Sequence, residues 1–101
     1  MTHASLQQRI MRYLKSVGAY AENIPGNELM SGVPDIIGCY QGIFLGLEVK
    51  MPSDTPSPLQ KVKLRDIQKS GGIGEVIYSL DKVRSIIDAI KKGNRWDNTT
   101  Y

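Results

Sequence analysis

Two carboxylates and an amine stand where a short hairpin would bring them together: Asp35, Glu48 and, two residues on, Lys50. The runs Asp35 to Tyr40 and Ile43 to Lys50 are β-patterned and separated only by Gln41-Gly42, which reads as a tight two-residue turn. Such a turn fixes the register, so Tyr40 is expected opposite Ile43, Cys39 opposite Phe44, Ile37 opposite Gly46 and Asp35 opposite Glu48. Directly opposed side chains have Cβ atoms roughly 4.5 to 5.5 Å apart, and like charges that close destabilise a sheet unless a cation lies between them. Alternation along the strand puts Lys50 on the face of both acids, and Gly46, on that face too, is expected to leave space beside Glu48.

Hard cations such as Mg²⁺ and Mn²⁺ take oxygen ligands, and Asp35, Glu48 and the backbone carbonyl of Val49 can supply three, leaving water and a phosphate to fill the rest. An ion held this way polarises a phosphodiester and lowers the pKa of an attacking water. A lysine beside it can orient that water or stabilise the charge that develops in the transition state. The plainer reading makes Glu48 and Lys50 a strand-end charge pair and Asp35, after Pro34, a turn residue. The acids' shared register and their place at the end of an apolar strand favour chemistry.

The elements that must position these groups follow from periodicity and punctuation. Leu6, Ile10, Tyr13, Leu14 and Val17 recur at helical spacing, predicting an amphipathic helix from Ser5 to Val17 that ends at Gly18. Ala19 to Ile24 reads as an edge strand, and Pro25 to Gly32 as a loop that either shapes a cleft before Asp35 or simply connects. After the hairpin, Ser57-Pro58-Leu59-Gln60 is a capping box with proline at the first helical position, so a helix should run to about Ser70 and stop at Gly71-Gly72. Ile73 to Tyr78 is a further strand. Asp81 to Lys92 is a last helix with Val83, Ile86, Ile87 and Ile90 inward, closed by Gly93. The order helix, three strands, helix, strand, helix predicts an α/β domain, a central mixed sheet flanked by helices.

The stretch from Ser31 to Lys50, with Gly32-Val33-Pro34-Asp35 and Glu48-Val49-Lys50 as its fixed points, followed by Ser57 to Gln60, resembles the virus-type replication-repair nuclease (VRR-NUC) domain of the PD-(D/E)XK nuclease superfamily. The resemblance implies a restriction-endonuclease-like αβββαβα core over residues 1–93, with 94–101 a polar tail. It implies Mg²⁺- or Mn²⁺-dependent cleavage of DNA, with Asp35 and Glu48 as metal ligands, Lys50 as the catalytic lysine and Gln60 near the active site. Gln60 has a second reading as the closing residue of its capping box. Branched or junction DNA as substrate and a homodimer as the working form are further implications, since symmetric cutting of two strands needs two sites. The family tends to carry a glutamate on the first helix where this chain has His3, three positions before Leu6-Gln7. A histidine there can ligate Mn²⁺ but is a poor partner for Mg²⁺, and one so near the N-terminus reads first as a solvated surface residue.

The remaining residues bound the answer. A chain of 101 residues has room for one core, and its net charge of +3 favours polyanionic partners. Lys61, Arg65 and Lys69 recur every four residues on the second helix, and Arg9, Arg12 and Lys15 form a similar strip on the first. Each strip suits a phosphate backbone or an ordinary solvated face. Gly71-Gly72-Ile73-Gly74 precedes a strand and lacks a following Lys-Ser/Thr, which makes it a helix stop and not a phosphate loop. Cys39 reads as a buried, unreactive thiol, and Trp96 and Tyr101 as residues that stack on bases or pack on a partner. The final eight residues, polar and aperiodic, are expected to be partly disordered. No run is apolar enough for a membrane span and no signal-peptide core opens the chain, so a cytoplasmic setting in a bacterium or a phage-infected host is expected. The rival function is a non-catalytic DNA-binding or assembly module that keeps the nuclease fold.

Overall fold

A computed structural model describes residues 1–101. Its elements are α1 (His3–Ser16), β1 (Tyr20–Asn23), β2 (Ile36–Tyr40), β3 (Ile43–Val49), α2 (Pro58–Lys69), β4 (Ile73–Ile77) and α3 (Leu80–Lys91), with one short 3₁₀ turn at Glu28–Met30. This is the expected order, and the elements form an α/β domain around a mixed sheet. Helix α1 starts two residues earlier than periodicity suggested. Thr2 caps it by accepting a hydrogen bond from the Ser5 amide, while the Ser5 hydroxyl and the Thr2 amide complete a reciprocal box. Helix α2 is capped the same way by Ser57 and Gln60, with Pro58 at its first position, and Gly71, at φ +94°, ends it.

The strands lie in the order β1-β2-β3-β4, antiparallel between β1, β2 and β3 and parallel between β3 and β4. Gln41 and Gly42 both have positive φ, 48° and 80°, the backbone of a two-residue turn whose twist matches the strands it joins. The hairpin register is the predicted one: Tyr40 faces Ile43, Cys39 faces Phe44, and Ile37 faces Gly46. Cys39 is half-buried where full burial was expected.

The two faces of the sheet have different covers. Leu45, Leu47 and Val49 of β3 and Ile73 and Ile77 of β4 pack in one core with Leu6, Ile10 and Leu14 of α1 and Val83, Ile86 and Ile87 of α3. The opposite face carries Gly46, Glu48, Gly74 and Val76 and is covered by α2. A methyl group on Gly74 would meet the Leu64 carbonyl at 2.6 Å, and one on Gly46 would run into Ile67 of α2 and lie 3.2 Å from Pro34. Gly46 therefore does not leave open space beside Glu48. It lets α2 and Pro34 close over the strand, and the carboxylate is buried as a result.

The C-terminal residues also differ from expectation. They form no helix or strand, yet they are laced to the outer edge of β4. Asn98 Oδ1 accepts from the Gly74 amide and its Nδ2 donates to the Gly72 carbonyl, while the Tyr101 hydroxyl accepts from the Val76 amide. Trp96 packs against the core and Tyr101 is half-buried, so both side chains are engaged within their own chain. An unpaired sheet edge presents free amides and carbonyls, and these side chains satisfy them without a further strand.

Candidate active site

Asp35 immediately precedes β2 and Glu48 is the penultimate residue of β3, one register step beyond the last paired residues, Ile36 and Leu47. The turn that set this register lies at the far end of the hairpin, so the meeting of the two acids follows from the turn's length. Asp35 is held by backbone: its Oδ2 accepts from the Val49 amide at 2.9 Å, and its carbonyl accepts from the Ile24 amide at 2.8 Å. Glu48 is only 3% exposed, and its Oε1 is buried with no hydrogen-bond partner. Burial first, then the hydrogen bonding and charge of neighbouring Asp35, push its carboxyl up to about 8, with Lys50 acting in the other direction.

Lys50 extends to within 3.9 Å of Glu48 Oε2. That is too long for a direct hydrogen bond, so the ammonium keeps its donors free for a third group. The backbone of Lys50 is tied to β4 through the Ile77 carbonyl at 3.0 Å, which anchors the side chain's root. Asp35, Glu48 and Lys50 are thus brought together as their spacing predicted, with the Val49 carbonyl beside them.

Gln60 is placed by its other reading. Its Oε1 accepts from the Ser57 amide at 2.8 Å, closing the capping box. The start of α2 is nonetheless close to the loop that carries Asp35, since a Cβ on Gly32 would lie 2.6 Å from Leu59 Cγ.

His3 is exposed, as its place near the N-terminus suggested, yet it also makes contacts that the sequence did not announce. Its ring is 45% exposed, but Nε2 lies 2.8 Å from the Val49 carbonyl oxygen and 3.4 Å from Asp35 Oδ2. Thr2-Leu6 spacing conceals this, whereas the Thr2…Ser5 box was a readable signal that His3 is helical and directed by the first turn.

The basic strips lie on different sides of the sheet. Arg9, Arg12 and Lys15 are exposed on α1, and Arg65 and Lys69 are exposed and Lys61 half-buried on α2. None of the six takes part in an ion pair. A second buried acid, Glu75 on β4, faces the α1 and α3 side and is fully enclosed. Trp96 Nε1 and the Thr99 amide donate to its Oε2, each at 2.8 Å, and the Tyr101 hydroxyl donates to Oε1. Lys82 stands 3.2 Å from Oε1. Every lone pair has a partner, which marks a structural charge. Its signal in the sequence was an acid inside the otherwise apolar run Ile73 to Ile77.

The two acids therefore differ in kind. Glu75 is satisfied, while Glu48 has a buried oxygen aimed at nothing in the chain. A buried acceptor without a partner costs on the order of 1 to 3 kcal/mol, more when charged, and is the observation a divalent cation fits: two carboxylates and a carbonyl in one place, all hard oxygen donors.

No family model and no curated protein matches the chain. Its fold, however, is that of two solved structures. A VRR_NUC domain protein superposes with a TM-score of 0.72 at 21% sequence identity, over 100% of this chain and 97% of its own. A second structure, a VRR_NUC domain, superposes with a TM-score of 0.71 at 23% identity, over 85% of this chain and 94% of its own.

Proposed function

We propose that this chain, which has the fold of VRR_NUC domain structures, is a metal-dependent deoxyribonuclease hydrolysing phosphodiester bonds with Asp35, Glu48 and Lys50. The observation that supports it most is the buried, unpartnered Glu48 Oε1 beside Asp35. Asp35, Glu48 and the Val49 carbonyl would hold Mg²⁺ or Mn²⁺, which when bound supplies a Lewis acid for the phosphate and lowers the pKa of a water nucleophile. The rest falls to the chain. The Val49 amide fixes Asp35, the α2 face keeps bulk water from Glu48, and Lys50 directs its free donors at the attacking water or at a phosphate oxygen. Gln60 acts through the capping box that sets the start of α2.

Branched or junction DNA is the proposed substrate, bound along exposed Arg and Lys residues by a homodimer, so that two sites address two strands. A cytoplasmic setting agrees with this; no helix is long and apolar enough to cross a membrane. One observation favours a non-catalytic module instead: the His3 ring already engages the Val49 carbonyl. Cleavage assays on branched and linear DNA in Mg²⁺, Mn²⁺ or EDTA separate the two. We expect metal-stimulated cutting that Glu48→Ala abolishes with the fold retained. Salt-sensitive binding without cutting, or a Glu48→Ala protein that cuts as fast as the parent, defeats the enzyme reading.

A further inference from the structure

The loop before Asp35 carries a leucine that touches almost nothing. Leu29 is 93% exposed, above every other exposed large apolar side chain, Met1 at 69% included. Single exposed apolar residues are common, so exposure alone assigns nothing. Here it coincides with order and with place.

The order comes from the loop's own backbone. The Met30 amide donates to the Asn27 carbonyl and the Val33 amide to the Met30 carbonyl, each at 3.0 Å, while the Ser31 amide and hydroxyl reach the Glu28 carbonyl at 3.3 and 3.0 Å. Leu29 is the middle residue of the 3₁₀ turn at Glu28–Met30, so an ordered turn presents it to solvent. Its place follows from two anchors. The Ile24 amide closes the base of the loop on the carbonyl of Asp35 at 2.8 Å, and Gly32, at φ +78°, lies against Leu59 in the first turn of α2. Leu59 and Val62, three residues apart on that helix, are 45% and 42% exposed and extend the apolar rim beside the acids.

We propose that Leu29 is a wedge that contacts unstacked bases at a DNA branch point and thereby selects branched over continuous duplex. The inference rests on the DNA-binding part of the function proposed above and names the substrate feature that is read.

Charge divides the labour. From Pro25 to Pro34 the chain has no cation and one acid, Glu28, so the loop is not a phosphate clamp. Phosphates fall to Lys61 and Lys63, which interleave with Leu59 and Val62 in the sequence of α2. An apolar tip beside cations suits a surface where base faces and phosphates occur together. A continuous duplex hides its base faces in the stack and meets a leucine with groove edges and phosphates. Where stacking is interrupted those faces are open, and inserting an apolar side chain costs least.

The test uses the full chain with a three-way junction and a continuous duplex, in EDTA and in Mn²⁺. The junction carries 2-aminopurine, a base that fluoresces when unstacked, at its branch point. The proteins are the parent, Leu29→Ala and Leu29→Met, and sedimentation records the assembly state of each. In EDTA we expect the parent to raise the branch-point fluorescence about twofold and to bind the junction about tenfold more tightly than the duplex. Leu29→Ala should lose the fluorescence rise and most of that preference, and Leu29→Met should keep both. In Mn²⁺ the ratio of junction to duplex cutting should fall with the preference in Leu29→Ala. If Leu29→Ala keeps the parent's fluorescence rise and preference, the wedge is overturned, and metal-stimulated cutting by both proteins leaves the nuclease reading standing. If the parent does not cut, the nuclease reading falls and the measurements in EDTA judge the wedge by themselves. A parent that binds junction and duplex alike overturns it. A Leu29→Ala protein that loses a dimer while keeping the junction preference assigns the side chain to a protein contact and overturns it too.

Discussion

Glu48 and Glu75 are both buried acids on one sheet, and their surroundings push them in opposite directions. Glu75 loses solvation, but the hydrogen bonds from Trp96, Thr99 and Tyr101 outweigh that loss and hold its carboxyl below the ordinary 4.5. Glu48 has no such donors and is pushed up to about 8. Between the unfolded carboxyl's 4.5 and about 8, the folded chain therefore keeps a proton on Glu48 that the unfolded chain has lost. Stability from this group is complete below the lower value and falls as pH rises, by up to ~1.4 kcal/mol for each pH unit crossed. In EDTA, thermal unfolding should move to lower temperature from pH 5 to pH 8, and Glu48→Gln should flatten that slope. A divalent cation should restore the stability at pH 8, because it replaces the proton. A melting temperature independent of pH in EDTA would mean that Glu48 is not the buried, unpaired acid described. Glu75 acts with the other sign: its contribution is present above 4.5 and is lost as acid protonates it.

At the scale of elements, the hairpin was legible because a two-residue turn leaves only one register, and the strand period carries that register to Asp35 and Glu48. Helix α2 was legible for a similar local reason, since Ser57, Pro58 and Gln60 announce its start within four residues. What could not be read depends on contacts far apart in sequence. Gly46 looked like space and is where Ile67 and Pro34 close in. The last residues looked loose because they have no period, yet their order comes from single side chains that reach Gly72, Gly74, Glu75 and Val76. Their worth is testable by removal. Ending the chain at Arg95 strips three donors from a fully buried carboxylate and leaves it with Lys82 alone. Breaking a buried, hydrogen-bonded charge site costs about 3 to 5 kcal/mol, so denaturant unfolding should show a loss of that size. A truncated chain within about 0.5 kcal/mol of the parent would show that the strap is ornamental to the fold.

For the molecule as a whole, the question is which of two basic strips a nucleic acid would follow. Charge does not decide it, since α1 offers three and α2 four Lys or Arg residues outside ion pairs. The layering does. Glu48 projects from the sheet face that α2 covers, whereas Arg9, Arg12 and Lys15 belong to a helix packed on the other face. Only the first residues of α1 reach the site, through His3 at the strand ends. A backbone whose phosphate rests beside Glu48 and Lys50 is therefore closer to the start of α2, and it would run along Lys61, Arg65 and Lys69. Each phosphate neutralised on duplex DNA contributes about −0.9 to the slope of log K against log salt. Replacing all three α2 residues by alanine should flatten that slope by about 2 to 3, weaken binding at low salt and leave metal affinity unchanged. The matching triple change on α1 should alter the slope by less than about 1. The reverse ranking, read from salt titrations of a fluorescent duplex, would place the DNA across the α1 face and would separate the binding surface from the acids.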